Sequence, residues 1–150
     1  MLSLIRHFVI LLLAAALVAK IVSSTAYAGP VTGPVEARLV EITDGDSFKA
    51  LARIWPGMEI RVTVRLRGVD APELRGKCAR EKVMALYARR RLAELLGSGE
   101  MVLVNVSGGK YYGRVLADVR LSDGRDISAV MLTSGLVVSY GGGRHRGWCD

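Results

Sequence analysis

"IRVTVRLRGVDAPE", residues 60–73, changes character halfway along. Up to Leu66, the apolar residues Ile60, Val62, Val64 and Leu66 alternate with Arg61, Thr63 and Arg65, and Arg67 continues the polar set. That period of two is a strand with one buried face, so burying the first set presents a row of cations on the second. After Gly68 the charges change sign, with Asp70 and Glu73 flanking Pro72. Two carboxylates about 4 Å apart repel by roughly 4 kcal/mol at a near-surface dielectric. A cation has to offset that, supplied either by the chain or by solution.

Working outward, "VEARLVEIT" (35–43) reads as a short strand ended by the turn signal "DGDS" at 44–47. Phe48, Ala50, Ala52 and Ile54 then alternate with Lys49, Leu51 and Arg53, and "WPGM" (55–58) supplies a Pro-Gly turn into the opening stretch. Trp55, at this tip, is expected to pack on the body of the fold. Residues 80–96 lack glycine and proline, and Met84, Ala88, Leu92 and Leu95 recur at helical spacing before Gly97. Arg89, Arg90 and Arg91 are expected to form a solvated face of that helix, help in holding a backbone phosphate being the alternative. A second hairpin pairs "MVLVNV" (101–106) with "RVLADVRL" (114–121) around "SGGKYYG". After the turn "SDGR", residues 126–134 predict a short helix capped by Gly135, with Ile127, Val130 and Met131 inward. The fold class is therefore α+β and mainly β. Five short strands, with one helix between the third and fourth and a short helix after the fifth, predict a closed barrel of the oligonucleotide-binding type, an OB-fold.

The first 28 residues differ from the rest. Arg6 and His7 precede an apolar run from Phe8 to Ala19, and after Lys20 comes "SSTAYAG" with Ala26 and Ala28 placed for cleavage before Gly29. That order predicts a secretory signal peptide over 1–28, an uncleaved anchor being the alternative. The run is too short for a spanning helix, which needs about 20 apolar residues. One domain, 29–150, remains, and the expected location is periplasmic or extracellular. The full chain carries 21 Lys and Arg against 14 Asp and Glu, a net charge of +7. Loss of the leader removes two of those positive charges and leaves a basic domain suited to polyanions such as nucleic acid. Cys78 and Cys149 are the only cysteines. Export makes a bridge between them plausible, two free thiols being the other possibility; a closed loop of about 70 residues would stabilise the fold by roughly 4 kcal/mol.

Beyond the leader the single histidine is His145, in the glycine-rich and arginine-rich tail "GGGRHRGWCD". Serine–histidine catalysis lacks a credible base there, and zinc lacks ligands. The acids remain: Asp44 and Asp46 on one turn, Asp70 and Glu73 at the end of the third strand. Clustered carboxylate oxygens suit a hard cation such as calcium, and Arg65 and Arg114 can grip a phosphodiester through paired hydrogen bonds. The residues alone thus point to metal-assisted phosphoryl hydrolysis, with a salt-bridged barrel rim as the plainer alternative.

"TDGDSF", then "VRLRGVDAPE", then "KYYGRVLAD" together resemble the staphylococcal (thermo)nuclease family, in order, from about Val35 to Tyr140. The resemblance implies a five-stranded barrel that hydrolyses DNA and RNA with calcium and leaves 3′-phosphate ends. It places the calcium ligands at Asp46, Asp70 and the carbonyl of Ala71, where family members usually have threonine. It makes Arg65 and Arg114 the catalytic arginines and Glu73 the residue that orients or deprotonates water. Tyr112 and Tyr140 are the nearest counterparts of the tyrosines that contact the nucleotide. The segment after Glu73 is shorter than the family's mobile loop, and the family's C-terminal helix has no counterpart in the tail. The expected protein is a monomeric, exported, calcium-dependent nuclease without strong sequence specificity, acting on single-stranded or locally unpaired DNA or on RNA. The alternative is a non-catalytic OB-fold protein of the envelope that binds nucleic acid, for which none of the acids is needed, since they repel phosphate.

Overall fold

The computed structural model describes residues 29–97, 99–143, 145 and 147–149; the expected signal peptide lies outside the described residues. The alternating run becomes strand β3 (Met58–Leu66), the third of the strands β1 (Val35–Ile42), β2 (Ser47–Trp55), β5 (Glu100–Gly108) and β6 (Arg114–Leu121) that close a barrel in the order β1-β2-β3-β6-β5. Every neighbouring pair is antiparallel except β3 and β6, which run parallel in the register Thr63↔Arg114 to Leu66↔Ala117. Two further strands, β4 (Val69–Asp70) and β7 (Val138–Ser139), form a separate antiparallel pair that the sequence pattern does not announce. Helix α1 (Ala79–Leu95) falls between β4 and β5, and α2 (Ile127–Thr133) between β6 and β7. Both helices stand where the pattern put them. The architecture is the closed OB-type barrel.

Phe48, Ala50, Ala52, Val62, Val64 and Leu66 are buried in the barrel, as the alternation requires. Ile54 and Ile60, on the same faces, are exposed, and Trp55 is 70% exposed rather than packed on the barrel. The register explains the difference. β1 covers β2 only as far as Ala37↔Ala52, and β6 covers β3 only from Thr63, so the hairpin tip projects beyond the closed wall. In β1 a register shift between Leu39 and Glu41 leaves Val40 outside and returns Ile42 to the interior.

One end of the barrel is closed by the helices. Ile127 and Met131 of α2 are fully buried, Asp126 caps that helix by accepting from the Ala129 N–H at 2.9 Å, and Ser128 Oγ donates to the Arg67 carbonyl at 2.9 Å. Helix α1 buries Glu81, Ala85, Ala88 and Leu92; Ala88 and Leu92 belong to the expected stripe, while Met84 and Leu95 are only half-buried at its edge. Small residues win the inner position because the β1–β2 turn comes so close. A Cβ on Gly45 would sit 2.5 Å from the Ala88 Cβ and 2.8 Å from the Ala71 Cβ. Among the described residues no helix is long and apolar enough to cross a membrane.

Candidate functional site

The turn between β1 and β2 is built to present acids. Thr43 and Asp44 both donate their N–H to the Ser47 carbonyl, at 3.0 and 3.1 Å, and Asp44 Oδ1 accepts from the Asp46 N–H at 3.3 Å. The pairing Ser47↔Arg65 then sets β3 beside this turn, with the Leu66 N–H on the Asp46 carbonyl at 2.9 Å. The tight turn after Leu66 brings Asp70 and Ala71 back to the same place, where the Ala71 N–H donates to Asp46 Oδ2 at 2.9 Å. Asp46 and Asp70 end up only 3% exposed each.

Arg65 is the cation that offsets their repulsion. Its Nη1 lies 2.5 Å from Asp46 Oδ1 and its Nη2 lies 3.0 Å from Asp70 Oδ1, with Ser47 Oγ donating to Asp46 Oδ1 at 2.8 Å. Burial opposes the charge of Arg65, but Asp46 and Asp70 overcome it and hold the guanidinium more firmly protonated than usual. Asp44 is shifted the other way from an ion-paired carboxylate. Burial first, then the charge of Asp46 and, more weakly, that of Glu73, push its carboxyl up to about 6. Asp46 and Glu73 therefore both act on Asp44, and Asp46 shares the Arg65 guanidinium with Asp70. Arg67, next on the same strand face, serves the fold instead: it reaches the Asn105 carbonyl, Ser107 Oγ and the Leu116 carbonyl, and pairs with Asp118.

Glu73 is exposed, on a loop whose backbone is held from behind. Glu81, buried at the head of α1, accepts from the Lys77 N–H at 2.9 Å and the Glu73 N–H at 3.4 Å, and the Gly76 N–H closes onto the Glu73 carbonyl at 2.8 Å. A Cβ on Gly76 would lie 2.3 Å from the Glu81 carboxyl carbon, so any side chain there would displace Glu81. Cys78 and Cys149 are joined in a disulfide, and Cys149 Sγ lies 3.6 Å from Glu81 Oε2. Glu81 and the two sulfurs form the closest cluster of potential metal ligands among the described residues, but oxidised sulfur offers no thiolate to a metal.

Arg114 opens β6 opposite Thr63, two residues from Arg65 along the same face of β3. Its guanidinium stands 5.4 Å from the centre of the Tyr111 ring. Arg65 and the acids thus meet directly, while Arg114 waits on the neighbouring strand, steadied by an aromatic face. Tyr112 is fully exposed on the loop before it. Tyr140 is half-buried, and its ring stacks on His145 at 4.8 Å between centroids. His145 in turn places Nδ1 2.9 Å from Asp70 Oδ1. Tyr111, Glu81 and His145 went unread as site residues. A glutamate three residues past a helix start is a sequence signal that could have found Glu81; nothing local signals the other two.

The donor set fits a hard divalent cation. Among the described residues both side-chain contacts of Asp70 fall on Oδ1, so Oδ2 has lone pairs to offer a cation, as the Ala71 carbonyl has. Carboxylate and carbonyl oxygens are what calcium selects.

A closed five-stranded barrel with two buried carboxylates bonded to one guanidinium beside the β1–β2 turn defines an OB-type barrel protein with an ionic site. The family model of staphylococcal nuclease homologues matches residues 63–146, more than half of the 150-residue chain, and the chain belongs to that family. An SNase-like domain of this kind has a nuclease-type or nucleic-acid-binding function. No curated protein matches the chain.

Proposed function

We propose that the protein is an exported, calcium-dependent nuclease that hydrolyses phosphodiester bonds of DNA or RNA without strong sequence specificity and leaves 3′-phosphate ends. The observation that carries this reading is the position of Arg65 between Asp46 and Asp70. A module that only bound nucleic acid would gain nothing from buried acids, which repel its ligand. Asp46, Asp70 and the Ala71 carbonyl would hold the cation, which when bound supplies positive charge at the phosphate and lowers the pKa of nearby water. Arg65 and Arg114 grip the phosphate oxygens and neutralise the charge that grows as water attacks phosphorus. Glu73, exposed beside the acids, takes the proton from that water. The bond from phosphorus to the 5′ oxygen breaks, that oxygen takes up a proton from solvent, and the phosphate stays on the 3′ side. Tyr112 is free to stack a base, and so is any face of the Tyr140 ring that His145 does not cover. Export is supported by the leader-like residues 1–28 and by the disulfide, a bond that persists in oxidising compartments.

The test is digestion of single-stranded DNA by purified protein with calcium and with an excess of chelator. Cleavage that stops on chelation is expected. Nucleic acid retarded on a gel but left uncut by folded, calcium-loaded protein would favour the binding module instead.

A further inference from the structure

The tail after β7 returns to the acids and is pinned at both ends. At its start Val138 pairs with Asp70, and the Tyr140 N–H donates to the Gly68 carbonyl at 2.9 Å. At its finish Cys149 is bonded to Cys78, one residue before α1. Between these points the Tyr140 hydroxyl donates to the Gly143 carbonyl at 2.8 Å, and the Tyr140 ring lies nearly parallel to that of His145, at 14°. His145 is then delivered to Asp70 Oδ1 at 2.9 Å. The imidazole side chain is 60% exposed, so core packing does not account for its place, whereas the carboxylate it meets is 4% exposed. Asp70 thus has Arg65 and His145 on one oxygen, Oδ1. Such outer partners fix the orientation of a ligating carboxylate, and their loss typically costs about 10- to 100-fold in metal affinity.

We propose that His145 is a positioning residue for Asp70, held by the Cys78–Cys149 tether, so that the affinity of the site for calcium depends on the attached tail. This rests on the calcium reading above. Calcium chloride is titrated calorimetrically into the wild-type chain, His145→Ala, His145→Asn, the double variant Cys78→Ser/Cys149→Ser, and the double variant combined with His145→Ala. His145→Ala and the cysteine variant are each expected to lose about 10-fold or more in affinity. Their combination should lose no more than the worse of the two, because both act through one contact. His145→Asn, which keeps a donor near the position of Nδ1, should recover most of the loss. In cleavage assays the half-saturating calcium concentration should rise by the same factor, while the rate at saturating calcium changes far less. A His145→Ala protein with wild-type affinity, or losses that multiply in the combination, would overturn the proposal alone. Wild-type protein that bound no calcium would overturn the calcium reading, and this inference with it.

Discussion

Removing the charge of Glu73 separates its chemistry from its surroundings. The side chain is exposed and its loop is held through backbone groups, so Glu73→Gln leaves the fold in place. The expected outcome is a loss of about 10²- to 10⁴-fold in the rate of DNA cleavage with an unchanged thermal midpoint. Equal rates for variant and wild type would exclude Glu73 as the base. Arg65→Ala behaves differently, because it strands two buried carboxylates as well as removing a phosphate ligand. It should lose at least about 10²-fold in rate and also melt lower, with calcium raising its midpoint more than it raises that of the wild type. Asp44 gives the opposite sign. Its folded carboxyl titrates near 6 against an ordinary 3.8, so in chelator the stability tied to its neutral form is complete below the ordinary value and is lost as pH rises through about 6. Asp44→Asn should abolish that loss and melt higher than wild type at pH 8 without metal. A pH-dependent midpoint identical to that of the wild type would remove Asp44 from the acidic cluster.

At the scale of elements, the site depends on how closely α1 approaches the turn that carries Asp44 and Asp46. Gly45 sits against Ala88 of the helix and Ala71, just past β4, with no room for a methyl group. Gly45→Ala must push the helix, the turn or both, at a cost of about 1–3 kcal/mol, and because Asp44 and Asp46 flank the glycine it should weaken calcium binding too. A chemical denaturation curve and a calcium titration on the same variant check both parts. The same contact shows what could be read from sequence and what could not. Strand alternation around Phe48 and Val64 marked the barrel wall, and the carboxylates and arginines stood in motifs short enough to be seen locally. Helical spacing marks Ala88 and Leu92 of the inner stripe of α1, but it also marks the larger Met84 and Leu95, which lie at the edge, and passes over Ala85, which is buried. Trp55 was misplaced because hydrophobicity does not say where the partner strand ends. The parallel β3–β6 pairing and the β4–β7 pair leave no local trace either, since each joins segments far apart in sequence.

For the whole molecule, the barrel and the tail are stabilised by different means. The barrel is closed by its own ladders, β1 to β5 on one side and β3 to β6 on the other, around a continuous apolar core. Past β7, the glycine-rich tail lies outside the barrel ladders, and the Cys78–Cys149 bond returns it to α1 across 71 residues of sequence. His145 reaches Asp70 by that route, which explains why no reading of its neighbours in the chain could have found it. A loop of this length restricts the unfolded chain by an amount worth about 4 kcal/mol, a large share of the roughly 5–15 kcal/mol that holds a domain together. The double variant Cys78→Ser/Cys149→Ser should therefore unfold at a markedly lower denaturant concentration, with a far-UV spectrum close to that of the wild type because every barrel strand still has both partners. A spectrum that collapsed in buffer alone would mean that the bridge, and not the ladders, keeps the barrel shut.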